Sequence, residues 1–369
     1  MKFNINSKTL EKLLARVLPA IPTRTPLPVI ENFLFEIEEG KLVVTATDLE
    51  IALTSSLSID ADENLRIVIP ARLFYDIVKS LGDTQIHFEV DHNSKMKLKT
   101  DKGEYFIGYS DASEYPVIPV VDKGKSIEIN GKILKKAIDQ TLFAVSKEAM
   151  RQAMLGLLFE LTPEGIKFVA TDGHRLVKYQ NKTFPFATED KYVIPERAVT
   201  VLSKLIPEGD VKIYLSSTNI VVDIDDLELN ARLISEKYPD YNSVIPIENE
   251  NTLKVNTGEL RSAVRRMLLF STSNYQQVKL AITADNVEVS AEDIDRGSSA
   301  KENVNCEYIG EPMDIGFNTG YLNDVLSHFE EDEIVFKLHS PIKACILEPR
   351  EQKENEDLMM LLMPVRLNT

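Results

Sequence analysis

The sequence predicts an α+β fold made of three tandem copies of one domain, each with two helices packed on antiparallel sheets. One set of short phrases recurs three times in the same order along the 369 residues. Each recurrence also contains alternating runs typical of half-buried strands and two runs with a helical apolar period. The period exceeds the roughly 20–50 residues of a solenoid unit, so each copy is expected to be a domain. The expected domains are 1–124, 125–249 and 250–369.

Each copy opens with an alternating strand and then an amphipathic helix. The strands begin at Phe3, Ile127 and Leu253 and end in an asparagine. Asparagine is a preferred N-cap, so Asn6, Asn130 and Asn256 are expected to cap the helices that follow. A second helix comes later in each copy, and in two copies a proline, Pro70 or Pro195, is expected in its first turn. The six predicted helices are 6–18, 70–81, 130–143, 195–206, 256–270 and 318–329.

One phrase follows a predicted hairpin strand in every copy. In the second copy it reads Ala-Thr-Asp-Gly-His-Arg-Leu from Ala170. The first and third copies keep the aspartate, Asp48 and Asp293, but lack the glycine and have no adjacent histidine. What recurs is therefore a scaffold. The residues added in the second copy, around Asp172 and His174, are the candidate functional residues.

Composition is that of an ordinary globular protein, with 43% hydrophobic residues. No apolar run approaches 18 residues, and the first six residues lack the apolar core of a signal peptide. A cytoplasmic protein without a membrane partner is therefore expected. Cys306 and Cys345 are isolated, so neither a disulfide framework nor a zinc site is indicated. We expect no metal and no other cofactor.

The charge is segregated along the chain. The net charge is −16, yet the six predicted helices carry thirteen Lys and Arg against six Asp and Glu, which leaves −23 for the remainder. Basic helices in an acidic chain indicate a surface for phosphates. No aromatic stripe or recognition-helix motif accompanies them, so contacts would not depend on DNA sequence. The helix residues expected to bind DNA are Lys8, Lys12, Arg72, Lys79, Lys132, Lys136, Arg197, Lys204, Arg261, Arg265 and Arg266.

Helix dimensions predict the number of copies needed to surround a duplex. Six helices spaced roughly 10 Å apart enclose a hole of only about 9 Å once the helix bodies are subtracted. Twelve helices from two copies leave roughly 28 Å, which admits double-stranded DNA with a layer of water. If the basic helices line a hole, the protein is a homodimer.

These features resemble the bacterial DNA polymerase III beta subunit family, the sliding clamps. The resemblance is most specific in two motifs: the phrase from Ala170 and the ending Leu-Leu-Met-Pro-Val-Arg-Leu from Leu361. It covers essentially the whole chain. It implies a non-enzymatic, head-to-tail dimeric ring around duplex DNA. It also implies the partners of that family: the DNA polymerase III catalytic subunit, a separate clamp loader and other proteins with a clamp-binding motif.

The resemblance further implies a hydrophobic partner-peptide cleft between the second and third domains. The matching residues are Met154, Thr171, Gly173, His174, Arg175, Leu176, Pro239, Val244, Leu361, Leu362, Met363, Pro364, Val365 and Arg366. Leu176, Leu362, Met363 and Val365 are expected to receive the apolar anchors of a peptide. Arg24 matches a DNA-contacting loop position of the family.

The sequence departs from the family in two places. Asn242 and Ser243 stand where the family often has basic residues, and Asn368 and Thr369 extend past the usual terminal leucine. We expect both departures to affect partner preference.

The dimer contact is expected to join an edge strand of the first domain to one of the third. The candidate residues are Lys95, Lys102, Tyr105 and Ile107 on one side and Leu269, Tyr275 and Glu302 on the other.

Two other functions fit parts of the sequence. A hydrolase that uses Asp172, His174 and Arg175 would need further ligands or catalytic partners. The remaining histidines stand in no metal-ligand spacing: His87, His92, His328 and His339. A monomeric adaptor that ignores DNA would leave the basic helices unexplained. The repeats, the charge map and both motifs favour the clamp.

Overall fold

The computed structural model describes residues 1–61, 63–91, 94–119, 125–271 and 276–367. The chain forms two compact units: unit 1 is Met1–Leu134 with Arg197–Leu233, and unit 2 is Lys135–Glu196 with Ile234–Thr369. The domain boundary predicted at 124 and 125 touches residues outside the described ranges. Four residues named in the sequence analysis also lie outside the described ranges: His92, Tyr275, Asn368 and Thr369.

All six predicted helices are present, within one to three residues of the predicted ends. They are α1 (Ser7–Val17), α2 (Ala71–Ser80), α3 (Gly131–Thr141), α4 (Glu196–Leu205), α5 (Thr257–Met267) and α6 (Thr319–Ser327). Short 3-10 turns continue three of them at Leu18–Ala20, Leu142–Ala144 and Leu268–Phe270. The predicted apolar faces are buried, as in α1, where Leu10, Leu13, Leu14 and Val17 point inward.

Side-chain caps begin the first helix of each copy, as predicted. The Asn6 side chain accepts from the backbone of Lys8 and Thr9, Asn130 from Lys132 and Asn256 from Glu259. The proline prediction was wrong by one position. Pro70 and Pro195 are the last residues of strands rather than residues of the first helical turn.

The strands alternate with these helices. In the first copy they are β1 (Lys2–Asn6), β2 (Asn32–Glu38), β3 (Lys41–Thr47), β4 (Ile51–Ser58), β5 (Leu65–Pro70), β6 (Gln85–Val90), β7 (Lys95–Lys99), β8 (Glu104–Gly108) and β9 (Ser110–Asp111). In the second they are β10 (Lys125–Asn130), β11 (Gly156–Thr162), β12 (Gly165–Thr171), β13 (Arg175–Asn181), β14 (Asp190–Pro195), β15 (Asp210–Leu215), β16 (Asn219–Ile224) and β17 (Leu227–Arg232). In the third they are β18 (Asn251–Asn256), β19 (Gln277–Ile282), β20 (Asn286–Asp293), β21 (Ser298–Ile309), β22 (Met313–Asn318), β23 (Glu333–Leu338), β24 (Cys345–Pro349) and β25 (Glu356–Leu362).

The sheets are antiparallel, which confirms the predicted α+β class. Unit 1 holds a sheet in the order β1-β6-β7-β8 and one in the order β10-β15-β16-β17-β4-β3-β2-β5-β9. Unit 2 holds a single sheet in the order β14-β11-β12-β13-β25-β24-β23-β18-β21-β20-β19-β22. The last strand of the second copy, β17, pairs with β4 of the first, and β25 of the third pairs with β13 of the second. Successive copies therefore share continuous sheets, and so the compact units do not coincide with the three copies.

The repeat is visible as three equivalent ladders of paired residues. Each ladder starts at an opening strand and crosses four strands. In the first copy it runs Phe3, Phe88, Leu98 and Tyr105. In the second it runs Ile127, Ile213, Val222 and Leu229. In the third it runs Leu253, Phe336, Leu347 and Met360.

Candidate peptide cleft and nucleic-acid interface

The phrase from Ala170 forms a tight turn between β12 and β13 in unit 2. Asp172 Oδ1 accepts from the backbone N–H of His174 (2.9 Å) and Arg175 (3.0 Å), and Thr171 Oγ1 donates to the Arg175 carbonyl (2.7 Å). Gly173 has φ +88°, and a Cβ there would lie 2.2 Å from the Arg151 guanidinium. The positive φ therefore favours glycine at this position.

The first copy builds the same turn from an equivalent Thr-Asp pair. Asp48 Oδ1 accepts from the backbone of Glu50 (3.1 Å) and Ile51 (2.9 Å), and Thr47 Oγ1 donates to the Ile51 carbonyl (2.7 Å). Leu49 takes the place of the glycine at φ 76°. This confirms that the recurring part of the phrase is a scaffold.

Arg175 connects this turn to α6 within unit 2. Its Nε donates to Asp172 Oδ2 (3.0 Å), its Nη1 to Asp324 Oδ2 (2.7 Å) and its Nη2 to the Phe143 carbonyl (2.9 Å). The guanidinium also lies 4.6 Å from the ring centroid of Tyr321. The side chain is only 9% exposed, so Arg175 and Asp172 satisfy each other instead of facing a substrate.

The floor of the candidate cleft is an apolar cluster. Strands β11, β12, β13, β14, β24 and β25 contribute to it, together with the segment after β17. Leu176 and Leu361, which are 2% and 3% exposed, belong to this cluster. The other buried members are Leu158, Val169, Val193, Tyr238, Tyr241, Ala344, Ile346 and Met359. Pro239 follows Tyr238 and is half-buried, and Val244 is 55% exposed.

A buried polar pair supports this floor. The Tyr241 hydroxyl donates to Glu160, which also forms an ion pair with Lys191 at 2.6 Å. Burial, with the Glu160 carboxylate beside it, raises the pKa of Tyr241 above its usual range. Burial alone would raise the pKa of Glu160, but the hydrogen bonds from Lys191 and Tyr241 outweigh burial and lower it. Glu160 is therefore held as a carboxylate under the cleft.

The structure corrects the assignment of Leu362 as a peptide anchor. Successive side chains of a strand point to opposite faces. Because Met359 and Leu361 of β25 belong to the cleft floor, Leu362 points away from it, and it is 0% exposed. Leu361 is the residue of this pair that belongs to the cleft floor.

The C-terminal segment forms one edge of the cleft. Met363 N donates to the His174 carbonyl (2.9 Å), and Val365 N donates to the Gly316 carbonyl (2.8 Å). A Cβ on Gly316 would lie 2.9 Å from the Val365 carbonyl, so glycine permits this close approach. Met363 is 41% exposed, Pro364 and Val365 are half-buried, and Arg366 is exposed.

The remaining cleft residues lie in two further segments of unit 2. Met154 is half-buried at the end of a 3-10 turn, Gln152–Met154, that leads into β11. Asn242 and Ser243 are exposed in the 3-10 turn Tyr241–Val244. The exposed His174 ring stacks on Tyr321 with centroids 5.8 Å apart.

Ten of the twelve residues predicted to bind DNA are exposed. In unit 1 these are Lys8, Lys12, Arg24, Arg72, Lys79, Lys132 and Lys204, and in unit 2 they are Arg261, Arg265 and Arg266. Three of them form surface ion pairs: Lys8 with Glu11, Lys132 with Glu208 and Arg266 with Glu302. Arg72 Nη2 donates to the backbone carbonyls of Ile21 (3.5 Å) and Pro22 (3.4 Å).

Lys136 and Arg197 are exceptions. Lys136 pairs with Glu356 and is 25% exposed. Arg197 is half-buried, with Nε 3.0 Å from Asp48 Oδ2 and Nη2 2.6 Å from the Pro19 carbonyl. Their charges are already matched inside the chain, so both are poor candidates for phosphate contacts.

The candidate dimer residues lie on two strand edges. β8 is the outer strand of its sheet in unit 1, and residues 298–305 of β21 in unit 2 pair only with β20 among the described strands. Lys95 and Lys102 are exposed, Tyr105 and Glu302 are partly exposed, and Leu269 is 76% exposed. Ile107 is a correction, because its side chain is 2% exposed and cannot reach a partner. Its neighbour Phe106, 64% exposed, carries the apolar surface of this strand.

Sequence reasoning missed several residues that the structure brings to the cleft. Tyr321 and Asp324 on α6 hold Arg175, and Arg151 donates to the Asp172 carbonyl at 2.7 Å. These contacts join distant parts of the chain and leave no local signal. Among the described residues, no group of three acidic, histidine or cysteine side chains could hold a metal. No helix within the described ranges has both the length and the apolar character of a membrane span.

Comparison with known proteins matches the chain over nearly its whole length. Sequence profiles of the DNA polymerase III beta subunit match residues 1–119 (N-terminal domain), 128–240 (central domain) and 242–366 (C-terminal domain). The beta sliding clamp of Vibrio cholerae is 27% identical and that of Synechococcus elongatus 29%, each over 100% of both chains.

Solved structures agree with the sequence matches. The DNA polymerase III subunit beta of Pseudomonas aeruginosa superposes with a TM-score of 0.94 at 28% identity, covering 100% of both chains. The sliding clamp of Bartonella birtlesii bound to griselimycin superposes with a TM-score of 0.93 at 30% identity, also over 100% of both chains. With three consecutive domain profiles and full-length structural matches, the chain belongs to the DNA polymerase III beta subunit family, the beta sliding clamps.

Proposed function

We propose that this member of the beta sliding clamp family acts as a ring of two copies joined head to tail around duplex DNA. The ring holds the DNA polymerase III catalytic subunit and other DNA-processing proteins through the cleft in unit 2, and a separate clamp loader opens it. It performs no catalysis and works in the bacterial cytoplasm. The proposed domains are 1–124, 125–249 and 250–369; the three matched profiles support three consecutive domains, although the third profile already begins at residue 242.

The observation that carries this proposal is the apolar cleft floor beside an exposed C-terminal edge. Leu176 and Leu361 supply a rigid floor, while Met363 (41% exposed) and Val244 (55% exposed) leave apolar surface for a partner to cover. A short peptide with two or three apolar side chains fits such a surface. Methionine adapts its shape at little cost, which suits a site shared by several partners.

The proposed DNA contacts are phosphate contacts by exposed cations. Seven of these have no ion pair to a described residue: Lys12, Arg24, Arg72, Lys79, Lys204, Arg261 and Arg265. Their side chains carry no base-reading geometry, so affinity for DNA should be weak, salt-dependent and indifferent to sequence. In this proposal the closed ring, rather than tight contact, keeps the protein on DNA.

Truncation of the C-terminus tests the cleft. Residues 363–369 are removed, and binding of a fluorescent clamp-binding-motif peptide is measured by anisotropy. Loss of the edge formed by Met363 and Val365 should weaken binding by at least about thirtyfold, roughly 2 kcal/mol. Arg350→Ala, which removes a surface ion pair with Glu333, is the control and should bind normally. Unchanged peptide affinity after the truncation would refute the cleft assignment.

A further inference from the structure

The candidate cleft of unit 2 has a counterpart in unit 1. A joint is the place where the second hairpin strand of one copy pairs with the last strand of the next copy. Two joints occur among the described strands: β13 with β25 in unit 2, beside the cleft, and β4 with β17 in unit 1. The first joint lies wholly within unit 1. It places β4, β17 and the Asp48 turn where unit 2 has its cleft.

The two joints align residue by residue. Leu53 lies six residues after the threonine of its turn and pairs with Leu229, the last residue of the second ladder. Val177 lies six residues after the threonine of the equivalent turn and pairs with Met360, the last residue of the third ladder. Counting from these pairs, four residues of unit 1 stand at positions of the unit 2 cleft: Ala52 for Leu176, Asn219 for Ala344, Asn230 for Leu361 and Arg232 for Met363.

The wall beside the turn is equivalent as well. The Tyr115 hydroxyl donates to the Thr45 carbonyl (3.3 Å), as the Tyr238 hydroxyl donates to the Val169 carbonyl (3.4 Å). Residues 116–119 therefore occupy in unit 1 the position that the residues after Tyr238 occupy in unit 2.

A cavity of about 420 Å³ lies at the first joint. Its lining includes Thr47 and Ala52 near the turn, residues 116–119, and Asn219 and Asn230 from the paired strands. An alanine at position 52 leaves room where a leucine packs into the floor of the unit 2 cleft. The cavity falls within the range of about 300–1,000 Å³ typical of ligand pockets. The first joint therefore has space for a ligand.

The floor of this cavity is polar, unlike that of the unit 2 cleft. Asn219 Nδ2 donates to Asn230 Oδ1 (2.9 Å), and Asn230 Nδ2 donates to the Pro119 carbonyl (3.0 Å). Asn230 is only 6% exposed, so these hydrogen bonds fix its amide in the floor. A primary amide has two N–H bonds and one acceptor oxygen. Asn219 therefore keeps its oxygen and one N–H without a hydrogen-bond partner among the described residues.

The charges of the lining cancel. Glu50 and Arg232 stand opposite each other on the two strands, where Arg232 N donates to the Glu50 carbonyl (3.2 Å). The other described residues of the lining are uncharged. A charged ligand would lose water against the amides and apolar side chains without gaining an unmatched partner charge. The cavity therefore favours an uncharged ligand that offers an amide group.

Two exposed apolar side chains border the cavity. Leu49 is 59% exposed and Val117 is 89% exposed. Leu49 also has φ 76°, a conformation that residues other than glycine rarely adopt, and unit 2 has Gly173 at this position of the turn. Backbone strain of this kind is concentrated at ligand sites. The turn thus holds an apolar side chain at the mouth of the cavity, where glycine would be unstrained.

We propose that unit 1 contains a second peptide site, which binds an extended, uncharged segment of a partner protein. The side-chain amide of an Asn or Gln in the segment pairs with Asn219, and an adjacent apolar side chain of the segment lies between Leu49 and Val117. The occupant is a peptide because the equivalent joint in unit 2 forms the proposed peptide cleft. The inference rests on the proposed function only for this class of ligand and does not depend on the ring.

Methyl NMR of the full-length chain, labelled at Ile, Leu and Val, tests the site. The probe is the capped peptide acetyl-Ser-Gln-Leu-Ser-amide. Its addition should shift the methyl signals of Leu49 and Val117. The same peptide with Glu in place of Gln keeps the shape but adds a charge, and should bind at least about tenfold more weakly. Shifts confined to Leu176 and Leu361 of the unit 2 cleft, or no shifts at any soluble concentration, would overturn the proposal.

Two variants separate binding from folding. Asn219→Ala removes the amide contact and should weaken binding at least about fivefold. Leu49→Gly removes the apolar contact while relieving the positive φ, so it should weaken binding at least about fivefold without loss of thermal stability. Arg350→Ala is the surface control and should bind as the wild type does. Equal affinity of N219A, L49G and the wild type would refute the assigned contacts even if the methyl signals shifted.

Truncation distinguishes this site from the cleft of unit 2. Removal of residues 363–369 takes away no residue of unit 1. Binding of the capped peptide at Leu49 and Val117 should therefore persist after the truncation. Loss of these shifts in the truncated chain would place the peptide in the unit 2 cleft and overturn the second site.

Discussion

Arg175 is predicted to be the most sensitive single residue of unit 2. Arg175→Ala would leave Asp172 (13% exposed) and Asp324 (45% exposed) without their common partner and would also remove a hydrogen bond to the Phe143 carbonyl. Breaking a buried ion pair costs roughly 3–5 kcal/mol. Because Asp324 can regain water, we expect a loss of about 2–4 kcal/mol in the free energy of unfolding.

Scanning calorimetry measures this loss. About 2–4 °C is lost per kcal/mol in a unit of this size, so the transition of R175A should fall by at least about 4 °C. Arg175→Lys keeps the charge but not the planar fork and should lose about half as much. Arg350→Ala removes a surface pair with Glu333 and should shift the transition by at most about 2 °C. A shift for R175A as small as that of R350A would refute the assigned role.

Three further predictions concern the floor, the turn and DNA. Because the folded state lowers the pKa of Glu160, its stabilisation is present above the unfolded pKa of about 4.3 and is lost as pH falls through the folded value. In chemical denaturation E160Q should therefore cost about 1–3 kcal/mol at pH 7 and progressively less below pH 4, whereas a pH-independent difference would contradict this. Gly173→Ala, at φ +88°, should cost about 1–3 kcal/mol on thermal unfolding, whereas Leu49→Gly at the equivalent turn position should cost nothing; equal effects would contradict the strain argument. Binding to short linear DNA should be weaker than micromolar at physiological salt, fall further as salt rises and decrease in Arg261→Glu/Arg265→Glu; nanomolar binding under these conditions would contradict the ring account.

Local features of the fold could be predicted from the sequence. Helix ends follow from caps such as Asn6 and Asn256, whose effect depends on residues two or three positions away. The apolar face of α1 follows from helical spacing alone. Errors arose where a side chain's direction had to be known. Leu362 and Ile107 were assigned to exposed surfaces, although strand alternation turns each into the core.

Long-range pairing could not be predicted. Nothing in the sequence near β17 or β25 indicates that each strand pairs with the preceding copy, more than 170 residues away. The same applies to Arg197 and Arg175. Each donates to the aspartate of a repeated turn, Asp48 or Asp172, but the two arginines stand at different positions of the repeat. The Asp-x-x-Arg spacing shared by Asp172 and Asp293 was visible in the sequence. Whether such an arginine is buried depends on contacts with distant residues, which the spacing does not reveal.

Retention on circular DNA tests the central claim most directly. The protein is placed on a nicked circular plasmid by a bacterial clamp loader, the DNA is isolated by gel filtration at physiological salt, and half is cut once with a restriction enzyme. A ring held by topology stays on the circle and is lost from the cut DNA. Equal retention on both forms, or no retention on the circle, would contradict a clamp that encircles the duplex.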